Sequence, residues 1–488
     1  MGSSSSVTGG GVSLSGSAAG NITVAAPITV SSGHSVSVAN RSSGTVTFSG
    51  AISDTGTGIS LSSNTGATVD FTGGLTASTG ANSAFSATGG GTVSLTGANN
   101  TLTNTTATAL VVQNTTIGAS GLTFKSISSS GGTADGIILD TTGSSGGLTV
   151  TGDGSNTSVG GNSTGGTISG KSGSDGSTSS GIGIYLNSTK NVVLRRMTIN
   201  GTNQNYGIRA FAVSNFTMEY STIGGTDGTT ASIDNYGEGS AYFGNATNSG
   251  ITGTGTFTND SISGGRGRNL SIVNGGPASS LALAVKGSTF SAIQNFGDGG
   301  DDFDVEARTS GSTINVTFGG TNAGELNTLT NAVGNSTSFA AQAGTTMDVQ
   351  FKNNTISNDN ANNIIGGSSV ILQAAGSMTY VISGNSMRDA NGSAIALGKQ
   401  SSGTLLSGRV TNNTIGVAGT TDSGSKTGNG IFVSASGTGT VSTTITNNQI
   451  HQIRGNAHVY ADNTGGSYTA NFTIQGNTLD TPDLAGWF

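Results

Sequence analysis

Apolar side chains fall on alternate positions in short runs along almost the whole chain, and the runs repeat. The clearest pair is Gly183-Ile-Tyr-Leu-Asn-Ser-Thr-Lys-Asn-Val-Val-Leu-Arg-Arg-Met-Thr-Ile199 and Gly207-Ile-Arg-Ala-Phe-Ala-Val-Ser-Asn-Phe-Thr-Met-Glu-Tyr-Ser-Thr-Ile223, related by a constant offset of 24 residues. Ile184 falls on Ile208, Asn191 on Asn215, Val192 on Phe216, Leu194 on Met218 and Ile199 on Ile223. Alternation with period two predicts strands with one buried face, and a fixed repeat predicts that each strand stacks on its copy in the next coil. Arg195 lands on Glu219, so stacking at about 4.8 Å predicts an ion pair between neighbouring coils. At an exposed site that pair reports register more than stability.

The first third repeats in simpler form. Thr45-Val-Thr-Phe-Ser-Gly50, Thr68-Val-Asp-Phe-Thr-Gly73 and Thr92-Val-Ser-Leu-Thr-Gly97 follow one another, with Asn21-Ile-Thr-Val24 one period earlier and Gly121-Leu-Thr-Phe124 and Gly147-Leu-Thr-Val150 after them. Beyond the central pair, a closing phrase persists: Asn259-Asp-Ser-Ile262, Gly287-Ser-Thr-Phe290, Asn353-Asn-Thr-Ile356, Gly384-Asn-Ser-Met387, Asn412-Asn-Thr-Ile415, Asn447-Asn-Gln-Ile450 and Gly476-Asn-Thr-Leu479, with Asn327-Thr-Leu329 filling the gap. The recurrent Asn before the buried residue predicts an asparagine ladder. A side-chain amide can both donate and accept between coils, and Asn tolerates left-handed backbone angles. No run gathers helix formers with a 3.6 period.

The predicted fold class is therefore all-β, a parallel β-helix (solenoid) of about 17 or 18 coils. Residues 1–20 read as a low-complexity start or cap, 21–151 as Thr/Val/Gly-rich coils, 152–181 as a polar loop or weak coil, 182–480 as longer coils with the ladder, and 481–488 as a tail. The 183–223 repeat and the Asn-Asn-Thr-Ile phrases resemble the right-handed parallel β-helix of pectate-lyase-like proteins. The Thr-Val-Ser-Leu-Thr-Gly repeats are similar to those of autotransporter passengers and giant bacterial surface adhesins. This likeness implies architecture; the fold itself hosts lyases, hydrolases and adhesins alike.

Composition changes this picture in three ways. The 84 glycines would favour disorder, but hydrophobic residues locked to a period of two oppose it, and glycine reads instead as the turn residue between strands. The absence of cysteine removes disulfide frameworks and thiolate metal sites. A formal net charge of −7 without a basic run argues against nucleic acid as a partner, and no apolar segment has the length of a membrane helix. Residues 1–20 lack the charged and apolar regions of a signal peptide, and the chain reads as a segment of a larger exported protein, secreted or at the cell surface.

Charged and aromatic residues concentrate over 185–308. In Asp298-Gly-Gly-Asp-Asp-Phe-Asp-Val-Glu-Ala-Arg308, a strand would place Asp302, Asp304, Glu306 and Arg308 on the solvent face and Phe303, Val305 and Ala307 inside. A solvated strand face accounts for that run without any ligand. The alternatives are oxygen ligands for Ca²⁺ from Asp298, Asp301, Asp302 and Asp304, or the acid and base of glycoside cleavage. The Gly297-Asp-Gly-Gly-Asp-Asp stretch resembles calcium turns of RTX repeats, in a single imperfect copy. Asp301-Asp302 resembles the paired aspartates of polygalacturonases, without that family's downstream Gly-His-Gly and Arg-Ile-Lys elements. Tyr185, Arg195, Arg209, Glu219, Tyr220, Glu238, Tyr242 and Arg268 are candidate ligand contacts for a shallow saccharide groove, set against inter-coil salt bridges and loop packing as the plainer explanation. The expected function is a non-enzymatic surface protein, an adhesin or stalk segment, contacting polysaccharides, cell-surface glycans or copies of itself. The alternative is a polysaccharide lyase or glycosidase acting through Asp302, Asp304, Glu306 and Arg308.

Overall fold

A computed structural model describes residues 5–17, 19–229, 237–294, 300–358 and 367–480. The chain divides into two compact units, Met1–Thr229 and Thr230–Phe488. Each unit is a stack of coils, and each coil gives one strand to each of three rows. In the first unit, Val36–Ala39, Thr45–Phe48 and Ile52–Asp54 make one coil, and Ile59–Ser62, Thr68–Phe71 and Leu75–Ser78 make the next. The two coils pair in parallel, with Val36 against Ile59, Val46 against Val69 and Ile52 against Leu75. Among the described residues, the first unit holds eight such coils after an opening strand Val7–Thr8, and the second unit holds another eight. Among the described residues there is no α-helix; one short 3₁₀ turn, Ala323–Glu325, interrupts the strands. The protein is a parallel β-helix.

Alternation explains why these segments form strands. Along Thr68–Phe71, Val69 and Phe71 point inside while Thr68 and Asp70 are half-buried. Phe71 stacks on Phe48 of the coil before it, ring centroids 5.2 Å apart and planes within 13°, which is the strand spacing expressed in the core. Burying such a side chain stabilises by about 1.5–3 kcal/mol, and every coil buries several. The 24-residue repeat becomes two long strands, Ile182–Arg195 and Tyr206–Glu219, paired Ile184 to Ile208 through Arg195 to Glu219. Arg195 Nε lies 2.5 Å from Glu219 Oε2, as the offset predicts.

The stretch from 152 to 181 contains one strand, Gly166–Ser169, paired with Met197–Asn200. It also carries a side chain that its polar composition conceals. Lys171 is fully buried, and its Nζ donates to Ser129 Oγ and to the Gly131 carbonyl at 2.6 and 2.8 Å. Burial pushes Lys171 down to about 8 and the nearby Asp135 carboxyl up to about 6, each opposed by the charge of the other.

In the second unit the closing phrases align as their spacing predicts: Ile262, Phe290, Leu329, Ile356, Met387, Ile415, Ile450 and Leu479 succeed one another in one row. The asparagine ladder is present and consists of Asn327, Asn354, Asn385, Asn413, Asn448 and Asn477. Each Nδ2 donates to the next Oδ1, at 3.1, 3.0, 2.9, 2.9 and 2.9 Å. Each also donates to a backbone carbonyl, for example Asn354 to Phe318 and Asn385 to Phe351. The two tasks assigned to one Asn are in fact divided between neighbours. The residue before five of the six ladder members takes the positive φ: Asn353 at 53°, Asn412 at 59° and Asn447 at 57°, with Gly384 and Gly476 in the equivalent places, whereas Leu326 before Asn327 is extended at −68°. Glycine alternates with asparagine there because both accept the left-handed region at little cost.

Candidate functional site

The acidic run forms the strand Asp301–Ala307, with Phe303, Val305 and Ala307 in the core as parity requires. The expectation of a solvent face is overturned: Asp302, Asp304 and Glu306 are 0, 6 and 7% exposed. Their outward side is covered by groups brought in from neighbouring coils. Arg268 pairs in register with Asp301, and Ser271 with Asp304. Arg268 Nε lies 3.7 Å from Asp304 Oδ2 and 4.0 Å from Asp301 Oδ2, and Ser271 Oγ donates to Asp304. Asp301 also accepts from the backbone and side-chain amides of Asn335. Glu306 accepts from Gln342 and from Arg308 Nη1, the latter at 3.1 Å. Arg308, at the strand end, remains half exposed.

Asp302 belongs to a separate line of polar groups at the corner entering this row. Its Oδ1 accepts from Asn269 Nδ2 at 2.8 Å, and Asn269 also donates to the Ser291 carbonyl and accepts from Gly265 N. Burial drives the Asp302 carboxyl well above its ordinary range, with the Asn269 bond opposing. Burial likewise raises Asp304 to about 6 against the pull of Arg268, and raises Asp301. On Arg268, burial acts against the charge, but Asp304, Tyr242 and Asp301 together hold it more basic than usual. These groups serve one another and the fold. Among the described residues, no three His, Cys, Asp or Glu side chains converge as a metal-binding group. Asp298 lies outside the described residues.

The remaining predicted contacts divide between the two units. In the first unit, Arg195 and Glu219 pair with each other. Arg209 is fully buried, its guanidinium 4.0 Å from the centroid of Phe211 and 5.3 Å from that of Tyr206. Tyr185 packs edge-on to Phe211, and Tyr220, at a φ of 54°, lies under Arg196. In the second unit Glu238 and Tyr242 are buried, and Tyr242 bonds to Arg268. Several of these contacts, Arg195 to Glu219 and Tyr185 to Phe211 among them, join neighbouring coils.

The surface feature that the sequence reading missed lies in the last four coils. A cavity of about 370 Å³ opens on the outer side of the row formed by Val370–Ala374, Ile395–Lys399, Ile431–Gly437 and Val459–Gly466. Register sets Ile371, Ala396, Phe432 and Tyr460 in one outward column, and Gln373, Gly398, Ser434 and Asp462 in the next. Phe432 and Tyr460 stack with centroids 5.7 Å apart and planes within 9°. Lys399 stands at the rim, its Nζ donating to the Ser436 carbonyl at 2.6 Å and the Gln400 carbonyl at 3.3 Å, and lying 5.8 Å from the Tyr468 ring centroid. No family model, no curated protein and no solved structure matches this chain. The available signal for this cavity was the residue type at equivalent outward positions, which becomes readable only once the register of four coils is fixed.

Among the described residues no helix is long and apolar enough to cross a membrane. The two later histidines, which sequence alone would leave at the surface, both meet one carboxylate: His451 Nδ1 and His458 Nε2 lie 3.2 and 3.4 Å from the oxygens of Asp480.

Proposed function

We propose that this protein is a non-enzymatic, exported surface protein, akin to β-helical adhesins and autotransporter passengers, whose coils present a face to glycans. The observation that carries the reading is the cavity over residues 371–464, where Phe432, backed by the Tyr460 ring, meets a lysine and several amide and hydroxyl groups on the outside of the row. Such mixtures suit sugars, which offer an apolar C–H face and a polar edge. The acidic run supports the non-enzymatic side, because its carboxylates are buried and engaged by Arg268, Asn269, Ser271, Gln342 and Arg308. General acid–base catalysis needs such a group within reach of a substrate proton.

The test is a panel of acidic and neutral polysaccharides, incubated with and without calcium, reading both retention on the protein and newly formed chain ends. Retention without new ends is expected. New ends would replace the adhesin with a lyase or hydrolase, and absence of both would remove the glycan from the proposal.

A further inference from the structure

The outer column Ile371, Ala396, Phe432, Tyr460 is uneven in a specific way. Tyr460 covers one face of Phe432. On the other side the next position holds only the methyl of Ala396, and the one after that the longer Ile371. Strand spacing puts Phe432 and Ile371 about 9.6 Å apart, with a midpoint about 4.8 Å from each. A single ring layer fits between them, since carbon atoms make contact at roughly 3.5–4 Å.

The neighbouring column deepens the slot. Gly398 is not required by the backbone: its φ is not in the left-handed region, and a Cβ there would meet Ser434 Oγ at 3.5 Å and the Leu372 carbonyl at 3.6 Å, ordinary contacts. Contrast Gly408, where a Cβ would stand 2.1 Å from the Tyr380 carbonyl. The fold would accept alanine at 398, so the space left by glycine belongs to the cavity.

A third observation points to an occupant. Lys399 is only 2% exposed yet lines the cavity. An ammonium has three N–H donors, and two carbonyls account for two of them. The third N–H, on an ammonium whose charge also lies 5.8 Å from the Tyr468 ring centroid, can meet an oxygen acceptor. The exposed amide of Gln373 and the hydroxyl of Ser434 border the same space.

We propose that this slot binds one pyranose ring of an acidic glycan, the C–H face of the sugar against Phe432 and its carboxylate toward Lys399. The inference rests on the glycan reading above and assigns it a place and a sugar class. The aromatic face supplies stacking, Ala396 and Gly398 give depth, and the buried ammonium selects the anionic substituent because a charge-assisted bond there is shielded from water.

The experiment is calorimetric titration of the full chain with hexameric oligouronates prepared from alginate and with neutral cellohexaose. Wild type is expected to bind the oligouronate at least tenfold more tightly than the neutral sugar. Ala396→Phe, which fills the slot from an outward position, should weaken that binding at least tenfold with its melting temperature unchanged. Lys399→Gln should abolish the preference for the acidic sugar. As Lys399 is nearly buried, Gly398→Val serves as an independent filling variant with the same expected loss. Wild-type binding undiminished by Ala396→Phe and Gly398→Val would overturn the slot while leaving glycan contact elsewhere intact. Failure of wild type to bind any glycan would overturn both proposals, and equal affinity for the two sugars would overturn the role of Lys399.

Discussion

Replacing Asn385 by Ala tests the ladder against its neighbouring turn. Asn385 Oδ1 accepts from Asn354 N at 2.8 Å and Asn354 Nδ2 at 3.0 Å, while its Nδ2 donates to Phe351 O at 3.1 Å and Asn413 Oδ1 at 2.9 Å. Not all of this is lost equally. Asn354 Nδ2 keeps Phe318 O, and Asn413 Oδ1 keeps the amide of residue 385. The amide of Asn354 loses this acceptor and Phe351 O loses a donor, in a site where both ladder residues are 1% exposed. A buried group left unsatisfied costs about 1–3 kcal/mol, so the substitution should destabilise the second unit by roughly 3–5 kcal/mol once the small void is included. Asn353→Gly is the companion. Asn353 takes φ 53° as Gly384 and Gly476 do in their coils, and glycine removes only its partly buried bond from Nδ2 to the Gly320 carbonyl, so stability should change by about 1 kcal/mol or less. Urea unfolding followed by circular dichroism measures both, and hydrogen exchange should show the Asn354 amide losing protection in Asn385→Ala alone. Equal costs for the two variants, or a cost below about 1 kcal/mol for Asn385→Ala, would refute the division of roles.

Two further outcomes are expected. Asp304 has its folded value raised from 3.8 to about 6, so its contribution to stability is fully present below the unfolded value and is lost as pH rises through the folded one. Relative to Asp304→Asn, the wild type should lose about 2 kcal/mol between pH 4 and 6; a flat difference across that window in paired denaturation curves would contradict it. Arg195→Ala should cost less than about 1 kcal/mol, diminishing further in high salt, because its partner Glu219 and the arginine itself are partly exposed; a larger, salt-insensitive loss would mean the pair is buried in effect.

Much of the fold was legible because a parallel stack writes its register into the sequence. Ile184 and Ile208 occupy equivalent places in successive coils, so their offset of 24 is the coil itself. The eight closing phrases worked for the same reason despite loops of unequal length. The candidate site was less legible. Alternation through Asp302, Asp304 and Glu306 correctly says which side of the strand they take, but burial of that side depends on Arg268, Ser271, Asn335 and Gln342, which arrive from coils about thirty residues away. Parity is a local property; cover is not. Lys171 escaped for a related reason, since a lone cation among Gly and Ser gives no hint that Ser129 and Gly131 will surround it.

The ladder also bears on how such a protein changes length over generations. Successive members are separated by 27, 31, 28, 35 and 29 residues, yet the bonds joining them differ by only a few tenths of an ångström. A duplicated coil brings its own amide, with one acceptor for the coil before and one donor for the coil after, so a whole coil can be gained or deleted and both neighbours remain satisfied. A fractional coil leaves one of them stranded. Inheritance can therefore alter loops residue by residue, while the stack itself grows and shrinks in quanta.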